Sequence, residues 1–154
     1  MSAVTVITAL PVDASVVAEL LFDFNTEFES PTPTIDALTE RFSTLLGRDD
    51  VRVLLALGPE PVGFAYLTAR PTPFYDGPLA QLEELYVTPE LRDQGIGTAL
   101  IEHSLDWARK LGAGEMHINV DEVDVDTRRF YERHGFVNIE PGTDYRMLCY
   151  LQEL

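Results

Sequence analysis

The sequence predicts a mixed α/β fold in which a central sheet is flanked by helices. Helical apolar stripes and short β-branched runs follow one another in the order β-α-α-β-β-β-α-β-α-β-β. A glycine-containing loop joins the fourth strand directly to a helix. No linker or internal repeat divides the 154 residues, which suffice for one core, so residues 1–154 are expected to form a single domain.

The first half of the chain predicts one strand, two helices and a hairpin. Residues 4–9 are predicted as a strand, and Asp13 can cap a helix that runs to about Phe28. Thr32 or Thr34 can cap a second helix, which Gly47 ends. Residues 51–57 and 62–69 are apolar runs joined by a Gly-Pro-Glu-Pro turn, which indicates a hairpin.

Two groups of side chains in this half allow more than one interpretation. Asp23, Glu27 and Glu29 lie around the end of the first helix, where they form either a solvated face or the wall of an acceptor site. Phe74 and Tyr75 lie in the loop at 71–77, where they either line such a site or cover the edge of the sheet.

The second half begins with a strand that Pro89 ends, because proline has no N–H for the ladder. The helix that follows ends at Gly112, and residues 116–120 are the next strand. Asp124 or Asp126 can cap a helix that carries Phe130 and Tyr131. Residues 136–137 and 146–151 are predicted as closing strands, with Cys149 as a small core residue.

The loop before the third helix has the chemistry of a phosphate site. Gly95 and Gly97 let the backbone approach a ligand closely, and free N–H groups at a helix start point at an anion. Arg92-x-x-Gly95-x-Gly97 after a Leu-Tyr-Val strand resembles the acetyl-CoA loop of the GNAT superfamily of N-acetyltransferases. The later run from Phe130 to Phe136 resembles the second signature of that family.

The resemblance implies the GNAT fold, with acetyl-CoA as the co-substrate. It implies that backbone N–H groups near Leu85, Tyr86 and Val87 hold the pantetheine arm and polarise the carbonyl. The pyrophosphate would be held by the loop residues Arg92, Asp93, Gln94, Gly95, Ile96, Gly97 and Thr98, and Asp124 and Phe130 are further cofactor-binding candidates. Many family members have asparagine at the Asp124 position, and a carboxylate cannot donate the hydrogen bond that an amide can.

The same resemblance implies the catalytic groups. Tyr131 is expected to protonate the leaving thiolate. Glu83 is the expected base that takes the proton from the amine, because Leu82-Glu83-Glu84 occupies the place of a Leu-Glu-Asp run in polyamine acetyltransferases. Glu84 competes for that role, since adjacent strand residues point to opposite faces and the register is open.

Composition restricts the partners. The net charge of −15 disfavours nucleic acid and anionic membranes, and no stretch has the length of a membrane span. Residues 1–90 hold 14 acidic and four basic side chains, a balance of −10, which is either a solubility feature or a cation-accepting surface. The single cysteine and the absence of a signal-peptide pattern favour the cytoplasm, and no Cys/His spacing indicates a metal.

The expected function is therefore transfer of an acetyl group from acetyl-CoA to a primary amine of a small cationic molecule, such as a polyamine or an aminated sugar. One alternative is acetylation of a protein N-terminus or lysine. Another is a binding module that kept the acyl-CoA site without turnover. A homodimer is possible, because dimers are common among proteins with the GNAT fold.

Overall fold

A computed structural model describes residues 3–154 of the chain. The described residues fall into two compact units, one ending at Ile118 and the other running from Asn119 to Leu154. The single domain expected for residues 1–154 stays a prediction. No helix formed by residues 3–154 has the length and apolar character needed to cross a membrane.

The first unit contains a five-stranded mixed sheet. The strands are β1 (Thr5–Thr8), β2 (Val51–Leu57), β3 (Pro61–Arg70), β4 (Leu79–Val87) and β5 (Glu115–Ile118). Their order in the sheet is β1-β2-β3-β4-β5, and each neighbouring pair is antiparallel except the parallel pair β4–β5. The predicted mixed α/β class and the predicted hairpin β2–β3 are confirmed.

Four α-helices are formed by the described residues, and their starts follow from the sequence. The helices are α1 (Ala14–Glu27), α2 (Ile35–Leu45), α3 (Ile96–Lys110) and α4 (Val125–Arg133). Thr34 caps α2, because its hydroxyl accepts the Ala37 N–H at 3.2 Å. Asp13 precedes α1 as predicted, but its carboxylate accepts the N–H of Leu10 at 2.8 Å instead of capping the helix.

Helices pack on both faces of this sheet. Phe64 of β3 belongs to a buried cluster with Val17 of α1 and Phe42 of α2. Its neighbour Gly63 points the other way, where an added Cβ would lie 3.5 Å from the side chain of Leu100 on α3. Fully buried side chains of this size contribute about 1.5–3 kcal/mol each, so the two layers hold β3 and β4 firmly in place.

The second unit differs from the prediction after α4. Residues 136–137 and 146–151 do not form strands. The Met147 N–H donates to the carbonyl of Asn138, the residue after the first stretch, at 2.7 Å. A sequence with strand propensity forms a strand only when a neighbouring strand packs against it. Within residues 119–154 no strand is present to act as that neighbour. The side chains of Leu148, Tyr150 and Leu151 are exposed, and Cys149 is exposed instead of lying in a core.

Candidate active site

A β-bulge lies at the two candidate glutamates of β4. Tyr66 of β3 pairs with Glu84, and the next residue, Leu67, pairs with Leu82, so Glu83 is the extra residue. A bulge bends its strand and redirects the side chains around it. The alternation that places adjacent strand residues on opposite faces is therefore broken at this point.

The bulge brings both glutamates to one face of the sheet. Glu84 lies opposite Tyr66, and Thr68 is two residues further along β3 on the same face. The Thr68 hydroxyl donates a hydrogen bond to Oε1 of Glu83 at 2.7 Å. The two carboxylates therefore share a face, because the extra residue restores Glu83 to the face of Glu84. Which of them acts as the base stays a prediction.

The two carboxylates differ in environment. Glu83 is exposed, whereas Glu84 is half-buried. Burial raises the pKa of Glu84 to about 7, and the neighbouring charge of Glu83 adds to this rise. A carboxylate that titrates near neutral pH can accept a proton and release it again, which is the property a general base needs.

The sheet opens beside these glutamates. Pairing between the parallel strands β4 and β5 ends at Leu82 and Ile118, but β4 continues to Val87. From Glu83 onward, the edge of β4 that faces β5 has no strand partner within the five-stranded sheet. Backbone N–H and C=O groups along such an edge can bind an extended ligand.

The glycine loop begins immediately after this open edge. A short 3₁₀ turn at Pro89–Leu91 follows β4, Asp93 has a φ of 60°, and Gly95 has a φ of 84° directly before α3. Glycine adopts that φ without strain, which explains its presence at the start of the helix. No side chain caps α3, and the first N–H groups of a helix have no acceptor within it. The start of α3 thus has the properties of an anion-binding end.

The side chain of Arg92 is held by the protein. Its two terminal nitrogens donate to the two carboxylate oxygens of Glu27 at 2.7 Å each, and its Nε donates to the Val87 carbonyl at 2.9 Å. Arg92 was expected to belong to the cofactor site as part of its loop. Its guanidinium joins the loop to the end of β4 and to α1, so the backbone of the loop is the part available to a ligand.

The aromatic residues beside this loop are packed together. Tyr86 of β4 is buried, and its ring stacks on Phe24 of α1 with a centroid separation of 5.1 Å. The guanidinium of Arg92 lies 5.7 Å from the centroid of the Tyr86 ring. The ring of Tyr86 is therefore held by the protein, and its cofactor-binding role stays a prediction.

The second unit holds the remaining candidates. The Asp124 carboxylate accepts the Thr127 N–H at 3.3 Å and so caps α4. Asparagine caps helices equally well, so the departure from the family pattern preserves this function. Tyr131 is buried, and its ring packs edge-on against Phe130 and Phe136 at centroid separations of 5.3 and 5.8 Å. The roles expected for Asp124, Phe130 and Tyr131 in catalysis or cofactor binding stay predictions.

The loop at 71–77 is anchored at the β5 end of the sheet. The Tyr75 hydroxyl donates to Oε2 of Glu115 at 2.8 Å, and its ring lies so close to Gly114 that an added Cβ would overlap it. Oε1 of Glu115 is 2.5 Å from Nε2 of His117. Phe74 is 82% exposed. Of the two interpretations, Tyr75 fits the covering of the sheet edge, whereas Phe74 points into solvent.

The chain matches the sequence profile of the Acetyltransferase (GNAT) family over residues 15–136. That match spans both compact units and includes the bulge, the glycine loop and the α4 motif. The chain belongs to the GNAT family. Family membership confirms the resemblance drawn from the two motifs, and GNAT proteins use acyl-CoA.

Two similarities, one to a solved structure and one to a curated protein, extend over nearly the whole chain. The structure of a candidate acetyltransferase from Arthrobacter sp. FB24 is 49% identical, covers 97% of this chain and 96% of that chain, and has a TM-score of 0.91. This chain is also 29% identical over 150 residues to an aminoglycoside N(6')-acetyltransferase type 1 from Stenotrophomonas maltophilia, covering 95% of this chain and 94% of that protein.

Other similarities are partial or distant. A 67-residue match, 45% identical, to an aminoglycoside N(6')-acetyltransferase type 1 from Klebsiella aerogenes covers 41% of this chain and less than half, 44%, of that protein. The aminoglycoside N-acetyltransferase AAC(6')-Iy, solved in complex with CoA, is 21% identical with a TM-score of 0.78, and each chain is covered to 97%. The last likeness supports the GNAT fold alone.

Two residues beside the candidate site have partners that the sequence did not indicate. Thr68, the hydrogen-bond donor to Glu83, lies on a different strand, and only the bulged register places it there. Glu27 was considered as part of an acidic wall, but it pairs with an arginine 65 positions away. No local sequence pattern reports such distant partners. Among residues 3–154, no group of three or more His, Cys, Asp or Glu side chains could hold a metal ion.

Proposed function

We propose that this GNAT family member transfers an acetyl group from acetyl-CoA to a primary amine of a small cationic molecule. The observation that carries the proposal is the pair Glu83 and Glu84 on one face of the sheet, beside the open edge of β4. A protonated amine cannot attack a thioester, so a base must stand next to the position where the thioester lies.

The cofactor is assigned to backbone groups of the first unit. The unpaired edge at Leu85 to Val87 can hold the pantetheine arm, with an N–H directed at the thioester carbonyl. The uncapped start of α3, with Gly95 and Gly97, can receive the pyrophosphate. These groups fit an extended, anionic molecule because they offer first an open strand edge and then the N–H end of a helix.

Glu84 is assigned the role of general base, directly or through a water molecule. Its pKa of about 7 lets it exist as a carboxylate at neutral pH and still accept a proton. Glu83, exposed and bonded to Thr68, is the alternative base. The family resemblance supports Tyr131 as the donor that returns a proton to the thiolate. The step balances as follows: the ammonium group first gives one proton to the base, and the neutral amine then forms the C–N bond. The C–S bond breaks, the nitrogen loses its second proton, and the thiolate gains a proton.

The acceptor is assigned as a polyamine or an aminoglycoside-like molecule. Three curated relatives are aminoglycoside N(6')-acetyltransferases, one of them matched over nearly its whole length. Asp23 and Glu29 are exposed at the end of α1, and residues 1–90 carry an excess of ten negative charges. An acidic surface concentrates a polycation and increases its rate of encounter.

The test is a thiol-release assay with acetyl-CoA and a panel of amines. The panel contains a polyamine, an aminoglycoside, a free amino acid and a lysine-containing peptide at matched concentrations. The proposal expects rapid release with the first two and slow release with the others. Preference for the peptide would replace the small-molecule acceptor with a protein. Tight binding of acetyl-CoA in calorimetry without release by any amine would indicate a binding module instead.

A further inference from the structure

Glu27 and Arg92 form a two-point contact between α1 and the glycine loop. Both oxygens of the Glu27 carboxylate accept from the guanidinium, at 2.7 Å each, which is the parallel geometry that makes arginine–carboxylate pairs strong. The side chains are partly shielded, with exposed fractions of 37% for Arg92 and 27% for Glu27. The pair therefore has a more favourable geometry and is less exposed than a typical surface ion pair.

Helix stability does not account for this glutamate. Glu27 is the last residue of α1, where the negative end of the helix dipole disfavours a carboxylate. A partly exposed ion pair adds little to the stability of a whole domain. The pair does hold the Arg92 side chain in a fixed position. We therefore expect its effect on the conformation of the glycine loop, which begins at Arg92.

Arg92 connects three elements. Its Nε bonds to the carbonyl of Val87, the last residue of β4, while its other nitrogens bond to α1. Beneath the guanidinium, Tyr86 stacks on Phe24 of the same helix. The residue that opens the glycine loop is thus tied to the strand before the loop and to the neighbouring helix.

We propose that Glu27 is a positioning residue for the cofactor loop. By holding Arg92, it sets the N–H groups between Arg92 and the start of α3 in the arrangement that binds the pyrophosphate. The inference rests on the proposed acetyl-CoA site. It assigns the guanidinium to the protein framework and leaves the anion to the backbone.

The alternative hypothesis, in which the Arg92 side chain binds the cofactor, predicts the opposite change in acetyl-CoA affinity when Glu27 is substituted. If the Arg92 guanidinium bound the pyrophosphate itself, Glu27 would compete with the cofactor for it. Glu27→Gln would then free the cation and tighten acetyl-CoA binding. If Glu27 positions the loop, the same substitution loosens Arg92 and weakens binding. The direction of the change therefore separates the two mechanisms.

The experiment measures acetyl-CoA affinity by calorimetry for the wild-type protein and for Glu27→Gln. Loss of one charge-assisted bonded pair is expected to weaken binding roughly tenfold, and to raise KM for acetyl-CoA with little change in kcat. Glu19→Gln is the matched control, because Glu19 is exposed on the same helix about two turns earlier and its loss changes the net charge equally. The control is expected to bind as the wild type does.

A double-mutant cycle with Arg92→Lys tests whether Glu27 acts through Arg92. Lysine keeps the positive charge but cannot make the two-point contact. Arg92→Lys should weaken binding about as much as Glu27→Gln, and the double variant should be no weaker than either, because the two changes remove one linkage. Additive losses, tighter binding in Glu27→Gln, or unchanged affinity would each overturn the inference. If the wild-type protein fails to bind acetyl-CoA, the proposed function itself fails.

Discussion

Glu84→Gln offers the sharpest test of the proposed base, because it changes activity and stability in opposite directions. Glutamine keeps the shape of the side chain but cannot accept the amine proton. General acid–base groups contribute about 10²–10⁴-fold, so kcat/KM at pH 8 should fall by a factor in that range. Acetyl-CoA affinity should change little, since the assigned cofactor contacts are backbone groups.

The pH dependence follows from the environment of Glu84. With a pKa of about 7, the ionised fraction rises from about one tenth at pH 6 to about nine tenths at pH 8. The wild-type rate should therefore rise almost tenfold across this interval. This rise of the rate with pH, the rate limb, should be absent from Glu84→Gln. In the wild-type protein, the pH of its midpoint should be the same for acceptors whose amines have different pKa values.

Stability should respond to the same titration with the opposite sign. Between its ordinary pKa of 4.5 and about 7, Glu84 holds a proton in the folded chain that it has lost in the unfolded chain. The folded state then binds more protons, so stability is lost as pH rises through this window. The upper limit is about 3 kcal/mol, and Glu84→Gln should recover most of it at pH 8.

The assays are initial rates of thiol release from pH 5.5 to 8.5 and urea unfolding at pH 5 and pH 8. Glu83→Gln is the matched control, since it removes the neighbouring charge and should shift the rate limb to lower pH. A Glu84→Gln variant with the wild-type rate and limb would refute the base assignment. If Glu83→Gln alone lost the limb, the role would belong to Glu83.

Three further predictions concern other parts of the proposed mechanism. Gly97→Asp should abolish acetyl-CoA binding in calorimetry while α3 survives, because a carboxylate in the first turn favours the helix but repels a pyrophosphate; unchanged affinity would exclude the loop. Tyr131→Phe should lower turnover about 10²–10⁴-fold with little change in cofactor affinity, and full turnover would mean that solvent protonates the thiolate. Diamines should be preferred over matched monoamines at low salt, with the preference shrinking as salt screens the acidic surface; equal use at every salt concentration would reduce that surface to a solubility feature.

Elements governed by neighbouring residues were predictable from the sequence. Thr34 begins α2 because a hydroxyl at that position can accept an N–H three residues later, and a sequence displays that spacing directly. The β2–β3 hairpin follows from two apolar runs joined by glycine and proline. The glycine before α3 was predictable as well, because its φ of 84° is one that few other residues tolerate.

The prediction of closing strands at 136–137 and 146–151 was wrong because a strand depends on a partner, not only on its own sequence. The pattern at 146–151 has the aromatic and apolar content of a strand, but a strand exists only where a second strand pairs with it. Between that segment and 136–137 lies a turn in which Gly142 has a φ of 90° and the Thr143 N–H bonds to Glu140. One backbone bond across this turn does not make a ladder.

The geometry of the candidate site depends on the β3–β4 register and on side-chain pairs between residues far apart in the sequence. The sequence motifs alone could therefore not assign a role to each of their residues. The sequence motif groups Arg92 with the glycines because they are adjacent in the chain, which invites one role for all of them. The pairing with Glu27 separates those roles, since the arginine side chain bonds to protein while the glycine backbone remains open. The bulge acts similarly at Glu83 and Glu84, because one unpaired residue changes which carboxylates share a face. In both cases a residue of another element decides the chemistry of the motif. Substitutions at Glu27 and Thr68, outside either motif, are therefore expected to alter activity.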